Sequence, residues 1–200
     1  MVLEPDIEAV LQNRPSSRDD EMVKITAIPE WLVPFIWVFV CLAGIGLLAS
    51  LWVHIGALMG RSVPSAFWVL HVGIFVVWFP AVFVAQRMVR NTNRKDFWKV
   101  VLKGAPDWVR YMMYVLFAYE FVIFIIFMGQ SSSGGRHTMT SATDWRGVSG
   151  LWMVFYSAAF AILYSAAKTT ESSPRCANRH LASPNAIYCT SCGQPVVRIR

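Results

Sequence analysis

Charged residues are scarce in this chain of 200 residues. Only 15% of the residues are Asp, Glu, Lys or Arg, whereas 56% are hydrophobic. Soluble domains have about 25% charged and about 45–50% apolar residues, so a soluble enzyme of this composition would have too few polar side chains to cover its surface. Intrinsic disorder is excluded too, because it requires low hydrophobicity together with high net charge. The composition predicts an integral membrane protein.

The sequence also lacks familiar catalytic patterns. It contains no nucleophile triad, phosphate-binding loop, HExxH motif or pair of catalytic carboxylates. A secretory signal is not expected either, because residues 1–30 are acidic and polar and have no basic start followed by a short apolar core. We expect residues 1–29 to form a cytoplasmic segment with a short helix at Asp6–Asn13, and we expect the protein not to be an enzyme.

Long apolar runs are what the sequence has in abundance. A run of about 20 apolar residues is enough to cross a bilayer as a helix, and unbroken runs of this length favour helices over the alternating strands of a barrel. The four predicted spans are Trp31–Val53, Ala66–Ala85, Tyr111–Met128 and Gly147–Ala167. The predicted fold is an all-α bundle of four transmembrane helices within residues 30–167, with a kink at Pro80 in the second span.

The basic residues predict the orientation of this bundle. Of the 18 Lys and Arg residues, all but Arg61, Arg136 and Arg146 lie in the N-terminal segment, between the second and third spans, or after the fourth span. By the positive-inside rule these three regions are cytoplasmic. The sequence predicts a multi-pass protein of the cytoplasmic (inner) membrane with both termini inside, and the net charge of +6 then reflects orientation rather than binding to nucleic acid.

The connection between the second and third spans carries a short amphipathic pattern. Apolar residues recur at helical spacing from Phe97 to Leu102, and the basic side chains fall on the other side. Such a helix is typical of the inner membrane surface, where it binds anionic lipid or docks a partner. The residues of this predicted face are Arg94, Lys95, Trp98, Lys99 and Lys103.

The C-terminal tail contains the sharpest motif. After a polar linker at residues 168–175, the pattern Cys-x3-His-x8-Cys-x2-Cys-Gly places three of the four cysteines of the chain within 17 residues. Three thiolates and one imidazole form a closed tetrahedral zinc site, which is structural rather than catalytic because no position is left for water. The predicted ligands are Cys176, His180, Cys189 and Cys192.

These residues resemble the short zinc-ribbon modules of many bacterial and archaeal proteins. The usual module has Cys-x2-Gly-His followed by aromatic-Cys-x2-Cys-Gly, and here Tyr188 occupies the aromatic position and Gly193 the final glycine. The resemblance covers about residues 174–197. It implies a small cytoplasmic zinc ribbon, in residues 176–200, that serves in interaction or stabilisation.

Glu120, His54 and His71 are the polar candidates for function at membrane depth. Glu120 in the third span is either a proton or cation relay, or a hydrogen-bonding group that ties helices together. His54 and His71, near the outer ends of the first two spans, either face each other across a haem or metal ion or make separate hydrogen bonds. We expect separate bonds and no haem, because the chain has no second membrane pair of histidines.

The sequence thus favours a membrane scaffold or accessory subunit whose zinc ribbon and basic inner loop engage a protein partner or a larger complex. Small residues at a spacing of four in the first and fourth spans suit close helix packing within the bundle or in a homo-oligomer. The first alternative is a small transporter or channel subunit that uses Glu120. The second is a haem- or metal-dependent redox subunit that uses His54 and His71.

Overall fold

The computed structural model describes a chain that is mostly helical and divides into two compact units. The larger unit is Ile28–Ser172, and the tail from Ser173 onward belongs to the other. The described residues are 33–61, 63–89, 92–131, 142–172, 174–178, 180, 187–189 and 192–197. The predicted helix at Asp6–Asn13 lies outside them.

Four long helices lie at the four predicted apolar runs, and each is long and apolar enough to cross a bilayer. In chain order the helices are α1 (Val33–Leu58), α2 (Val69–Val89), the short α3 (Phe97–Val101), α4 (Asp107–Ser131) and α5 (Ala142–Glu171). A single 3₁₀ turn leads into α2, which continues as a helix through Pro80.

Helices α4 and α5 extend at both ends beyond the apolar runs that predict them. Helix α5, the fourth predicted span, begins at Ala142, five residues before the predicted Gly147, and ends at Glu171. The first four residues of the predicted linker, 168–171, are therefore helical. Helix α4 likewise begins at Asp107 rather than Tyr111. The apolar run shows only which residues of a helix can lie in the hydrocarbon of a bilayer. The helix itself continues into the polar residues on either side of that run.

Helix α5 is the centre of the bundle. In its most apolar 18-residue stretch 61% of the residues are buried, compared with 17% in α4, and α5 packs against α1, α2, α3 and α4. Its inward side combines large side chains such as Trp152 with small ones, among them Ala159, Ala161 and Ser165, all fully buried. Small residues allow backbones to approach closely, which is how helices associate in lipid.

Two glycines mark the closest approaches to α5. A side chain at Gly46 on α1 would overlap the ring of Tyr156, and one at Gly104 would overlap the backbone carbonyl of Ser165. The Gly104 amide instead donates to Ser165 Oγ at 2.8 Å. The missing side chains at these two positions let α1 and the α3–α4 connection lie directly on the central helix.

The connection between α2 and α4, which we call the inner connection after its predicted side of the membrane, packs more deeply than a helix lying on a membrane surface. A 3₁₀ turn at Arg94–Asp96 precedes α3, and Val101 and Leu102 are fully buried in the bundle core. Trp98 is 45% exposed. The predicted amphipathic helix is present, but most of its apolar side faces the bundle, with Trp98 and the basic side chains left outside.

Candidate metal centre and intramembrane polar residues

The tail forms a small antiparallel ribbon around its cysteines. Strand β1 (Arg175–Cys176) pairs with β2 (Val196–Val197), with Cys176 opposite Val196. An isolated bridge joins Tyr188 to Pro195. This pairing brings the segment that carries the first cysteine beside the segment that carries the last two.

The four predicted ligands lie together. Their ligand atoms are all within 4.8 Å of one another, Cys176 Sγ is 3.5 Å from Cys192 Sγ, and Cys189 Sγ is 3.9 Å from His180 Nδ1. A tetrahedral ion with metal–sulfur bonds of about 2.3 Å sets its ligand atoms about 3.8 Å apart. The group has the spacing of a metal site and could bind a metal ion.

Backbone hydrogen bonds shape the knuckle that holds the last two cysteines. The Gly193 amide donates to the Cys189 carbonyl and the Cys189 amide donates to the Gln194 carbonyl, both at 2.8 Å. Gly193 has φ of 70°, the left-handed conformation that glycine adopts at little cost. This conformation turns the chain back after Cys192 and accounts for the glycine at the end of the motif.

Burial differs among the four side chains. Cys176 and Cys189 are buried, Cys192 is partly buried and His180 is exposed. A backbone hydrogen bond from Gln194 lowers the pKa of the Cys192 thiol, but desolvation and the neighbouring sulfurs outweigh it, so this pKa lies above its usual value. Three sulfurs crowd one another here, an arrangement that a bound cation would relieve.

Glu120 is buried within the bundle, at 7% exposure. Of the tyrosines on the same helix, Tyr111 and Tyr114 are at least half exposed, and the Tyr119 hydroxyl lies 2.8 Å from His54. Among the described residues, Glu120 Oε1 has no hydrogen-bond partner. The two interpretations of Glu120, a relay and a group that ties helices together, both stay predictions.

His54 is buried and takes part in two side-chain hydrogen bonds, one to Ser149 and one to Tyr119. Its Nδ1 is 3.0 Å from Ser149 Oγ and its Nε2 is 2.8 Å from the Tyr119 hydroxyl, while Ser149 Oγ donates to the Trp145 carbonyl. With a neutral imidazole, all these bonds form if Tyr119 donates to Nε2 and Nδ1–H donates to Ser149. Both ring nitrogens of His54 are then occupied, and neither is available to a metal.

His71 has a different environment. Its Nδ1 accepts a hydrogen bond from Trp152 Nε1 at 3.2 Å, and its ring packs edge-on against Trp68 and Phe75. The two histidines thus make separate hydrogen bonds with different partners, as expected from their sequence context.

The basic face of the inner connection is exposed. Arg94, Lys95, Lys99 and Lys103 all present their side chains to the outside. Lys99 pairs with Asp96 at 3.0 Å. Arg110, at the start of α4, donates to the Leu102 and Lys103 carbonyls, and it thereby fixes this connection to the helix that follows.

Sequence reasoning missed several residues of the polar network. Ser149 and Tyr119 complete the environment of His54. Arg146, which the sequence places only as an outer cation, donates to the Ala57 and Leu58 carbonyls at the C-terminal end of α1, at 3.1 and 3.3 Å. A cation at a helix C-terminus is favourable, but no local signal pairs residues almost 90 positions apart.

Comparison of the chain with protein-family models, curated proteins and solved structures found no match.

Proposed function

We propose that this protein is a non-enzymatic membrane scaffold or accessory subunit, and that its tail binds zinc and engages a partner protein in the cytoplasm. The observation that carries this proposal is the cluster of four ligand atoms within 4.8 Å of one another. The ligands come from a short segment outside the four long helices, so the cluster serves the tail and not the membrane bundle.

Zinc is the metal that best fits the donor set. Three thiolates and one imidazole are the ligands of structural zinc sites, whereas magnesium and calcium prefer oxygen. Four protein ligands leave no open position for a water or a substrate, which supports a structural role. A reducing cytoplasm keeps such thiols from forming disulfides. The resemblance to short zinc-ribbon modules supports the same assignment.

The surface of the tail supports a role in binding protein. Ile187 and Tyr188, directly before the third ligand, are 70% and 63% exposed. Exposed large apolar side chains on so small a module are typical of contact surfaces, and Tyr is enriched at interfaces. The exposed basic residues of the inner connection, Lys99 among them, are a second surface for the partner or for anionic lipid.

The distribution of basic residues supports the proposed location. Because the positive-inside rule assigns the inner connection and the tail to the same side of the membrane, both surfaces are available to one cytoplasmic partner. The four apolar helices anchor them at the membrane. Assembly into a larger membrane complex or a homo-oligomer is consistent with this role.

A comparison of two cysteine variants tests the proposal. The protein is purified from native membranes in a gentle detergent, and its zinc content and co-purifying chains are measured. Cys189→Ser should lose both the zinc and the partner while inserting normally. Cys41→Ser, which changes an exposed cysteine of α1, is the matched control and should retain both. Unchanged co-purification with Cys189→Ser would reject the proposal.

Transport is the second candidate function, and the buried carboxyl group of Glu120 favours it. Ionisable groups in membrane helices often mark ion or proton pathways. In proteoliposomes of the purified protein, Glu120→Gln should abolish proton or cation flux if the residue is a relay. Flux equal to that of the wild type would reject this candidate and leave the scaffold proposal unaffected.

A further inference from the structure

A cavity of about 360 Å³ lies between α4 and α5. This volume is within the range of about 300–1,000 Å³ that small-molecule sites occupy. Its lining is apolar apart from two carboxyl groups and one glycine: Phe117, Glu120, Phe121, Ile123, Phe124, Asp144, Gly147, Val148, Leu151 and Val154. We call this cavity the α4–α5 groove.

Glu120 places a buried carboxyl group in the apolar lining of the groove. The residue is only 7% exposed, and its side chain lines the groove. Its Oε1 atom has no hydrogen-bond partner among the described residues. A buried carboxyl oxygen without a partner costs free energy, because it has lost water and gained nothing in return. Such an atom is best explained by a ligand that completes its hydrogen bonding.

The space for the Glu120 carboxyl group depends on Gly150 of α5. A side chain at this position would overlap the carboxyl group itself. Gly150 is buried within a helix, where glycine is less favourable than alanine by about 1 kcal/mol. The glycine therefore keeps open the place where the carboxyl group lies.

The charges around the groove favour a cation. Asp144, which is also 7% exposed, lines the groove toward the outer end of α5, and none of the ten lining residues is basic. The nearest basic residue along α5, Arg146, directs its guanidinium to the Ala57 and Leu58 carbonyls of α1. Its charge is therefore held at the end of another helix.

The apolar lining determines which class of cation fits. Calcium takes six to eight oxygen ligands and magnesium takes six, and the described groove supplies carboxyl oxygens from two residues only. Three phenylalanines, Phe117, Phe121 and Phe124, stand along one side and are each more than half exposed on the bundle surface. A ligand that matches this lining carries one ammonium group for the carboxyl group and an apolar body that packs against the phenylalanine rings.

We propose that the α4–α5 groove binds an amphiphilic organic amine, with its ammonium group on Glu120 and its apolar body against the phenylalanines. This proposal concerns the bundle alone. It rests neither on the function proposed for the tail nor on transport, since a ligand can bind the groove without crossing the membrane.

The depth of Glu120 favours a free amphiphile over the amine of a lipid headgroup. Glu120 is the fourteenth of the 25 residues of α4, so at 1.5 Å per residue it lies roughly 16–20 Å from either end of the helix. Headgroups reside at the interface, outside the hydrocarbon. A free amine with an apolar body can enter from the open, lipid-facing side of the groove.

Equilibrium binding to the full chain tests the site. The probe is radiolabelled 4-phenylbutylamine, which is protonated at neutral pH, and the medium is a maltoside detergent that contains no amine. The competitor 4-phenylbutan-1-ol has the same apolar body without the charge. In a second arm, nanodiscs with and without phosphatidylethanolamine show whether a lipid amine occupies the same site.

We expect saturable binding of one amine per chain with a Kd of about 1 mM or tighter. Glu120→Gln should weaken it at least about tenfold, and Asp96→Asn, an acidic change in the inner connection, should not alter it. Gly150→Ala is a second variant that should also weaken binding, because its methyl group displaces the carboxyl group. Circular dichroism and gel filtration verify that each variant is folded.

Three results would overturn the proposal: no saturable binding at concentrations up to about 10 mM, equal binding by folded Glu120→Gln, or equally effective competition by the alcohol. Loss of probe binding in phosphatidylethanolamine nanodiscs would instead reassign the ligand to the lipid headgroup and overturn the choice of a free amphiphile. Cys189→Ser should bind the probe normally, so failure of the tail proposal is distinguished from failure of this one. Binding of the probe without proton or cation flux in proteoliposomes would reject transport and support a binding role for the groove.

Discussion

The bundle and the tail of this protein are stabilised in opposite ways. In the bundle, 61% of the apolar stretch of α5 is buried against other helices, and the polar groups of each helix backbone are satisfied internally. In the tail, the buried side chains among the described residues are Cys176 and Cys189, which are themselves predicted ligands. The bundle therefore has a core of its own, whereas the described part of the tail has a cluster of potential metal ligands in place of a core.

Removal of metal should separate the two parts most strongly. Structural zinc contributes an apparent free energy of about 10–16 kcal/mol in small zinc modules, so a chelator should unfold the tail and leave the helices intact. We expect trypsin to cleave after Arg175 rapidly once zinc is removed, while the helical circular dichroism of the full chain in detergent stays constant. A tail that is equally resistant to trypsin with and without metal would show that metal binding does not stabilise it.

Trp152→Ala should have the largest effect on the bundle. Trp152 is fully buried, packs against Trp68 and Trp145 and donates to His71, and deleting a core aromatic side chain costs about 3–5 kcal/mol. The free energy of unfolding is measured by titration with SDS in mixed micelles. Trp52→Ala, at a residue 71% exposed, is the control and should change it little. Equal losses would show that α5 is not the centre of stability.

Gly104→Ala should destabilise the bundle by overpacking. The added methyl group would overlap the Ser165 carbonyl, and overpacking costs about 1–3 kcal/mol. In the same SDS titration, Gly56→Ala should be neutral or slightly stabilising because nothing lies within 4 Å of its new side chain and alanine favours helix. If both variants had the same effect, close approach at Gly104 would not contribute to packing.

Tyr156→Phe should have the smallest effect. Its hydroxyl donates to the Leu70 carbonyl at 2.8 Å, a single hydrogen bond worth about 0.5–1.5 kcal/mol. Tyr111→Phe, at a residue 69% exposed, serves as the control in the SDS titration. A loss above about 3 kcal/mol would indicate that the hydroxyl does more than link α2 to α5.

The parts that the sequence predicts best are those whose signals are local. The charge-free runs predict four helices because each run satisfies its own backbone, and the ligand spacing predicts the metal cluster because all four residues lie within 17 positions. The start of α5 is missed because Asp144 and Arg146 resemble loop residues. Arg146 is accommodated in the helix by carbonyls of α1, a partner that no window around residue 146 contains.

Contacts between distant helices account for the other omissions. His54 meets Ser149 and Tyr119 from two other helices, and Glu120 lies opposite Gly150. Both depend on how each helix is rotated about its axis. Apolar helices with residues of similar hydrophobicity on all sides carry little information about that rotation, so the sequence identifies the polar residues but not their partners.

The central position of α5 has a consequence for synthesis. The helix against which the others pack is the last of the four to be made, and its first residue follows that of α1 by 109 positions. At about 5–20 residues per second, the first residue of α5 is therefore made roughly 5–20 s after that of α1. Helices α1 and α2 also contact each other directly, so part of the bundle can form before α5 is made. The surfaces of the earlier helices that α5 covers stay uncovered until this last helix is complete.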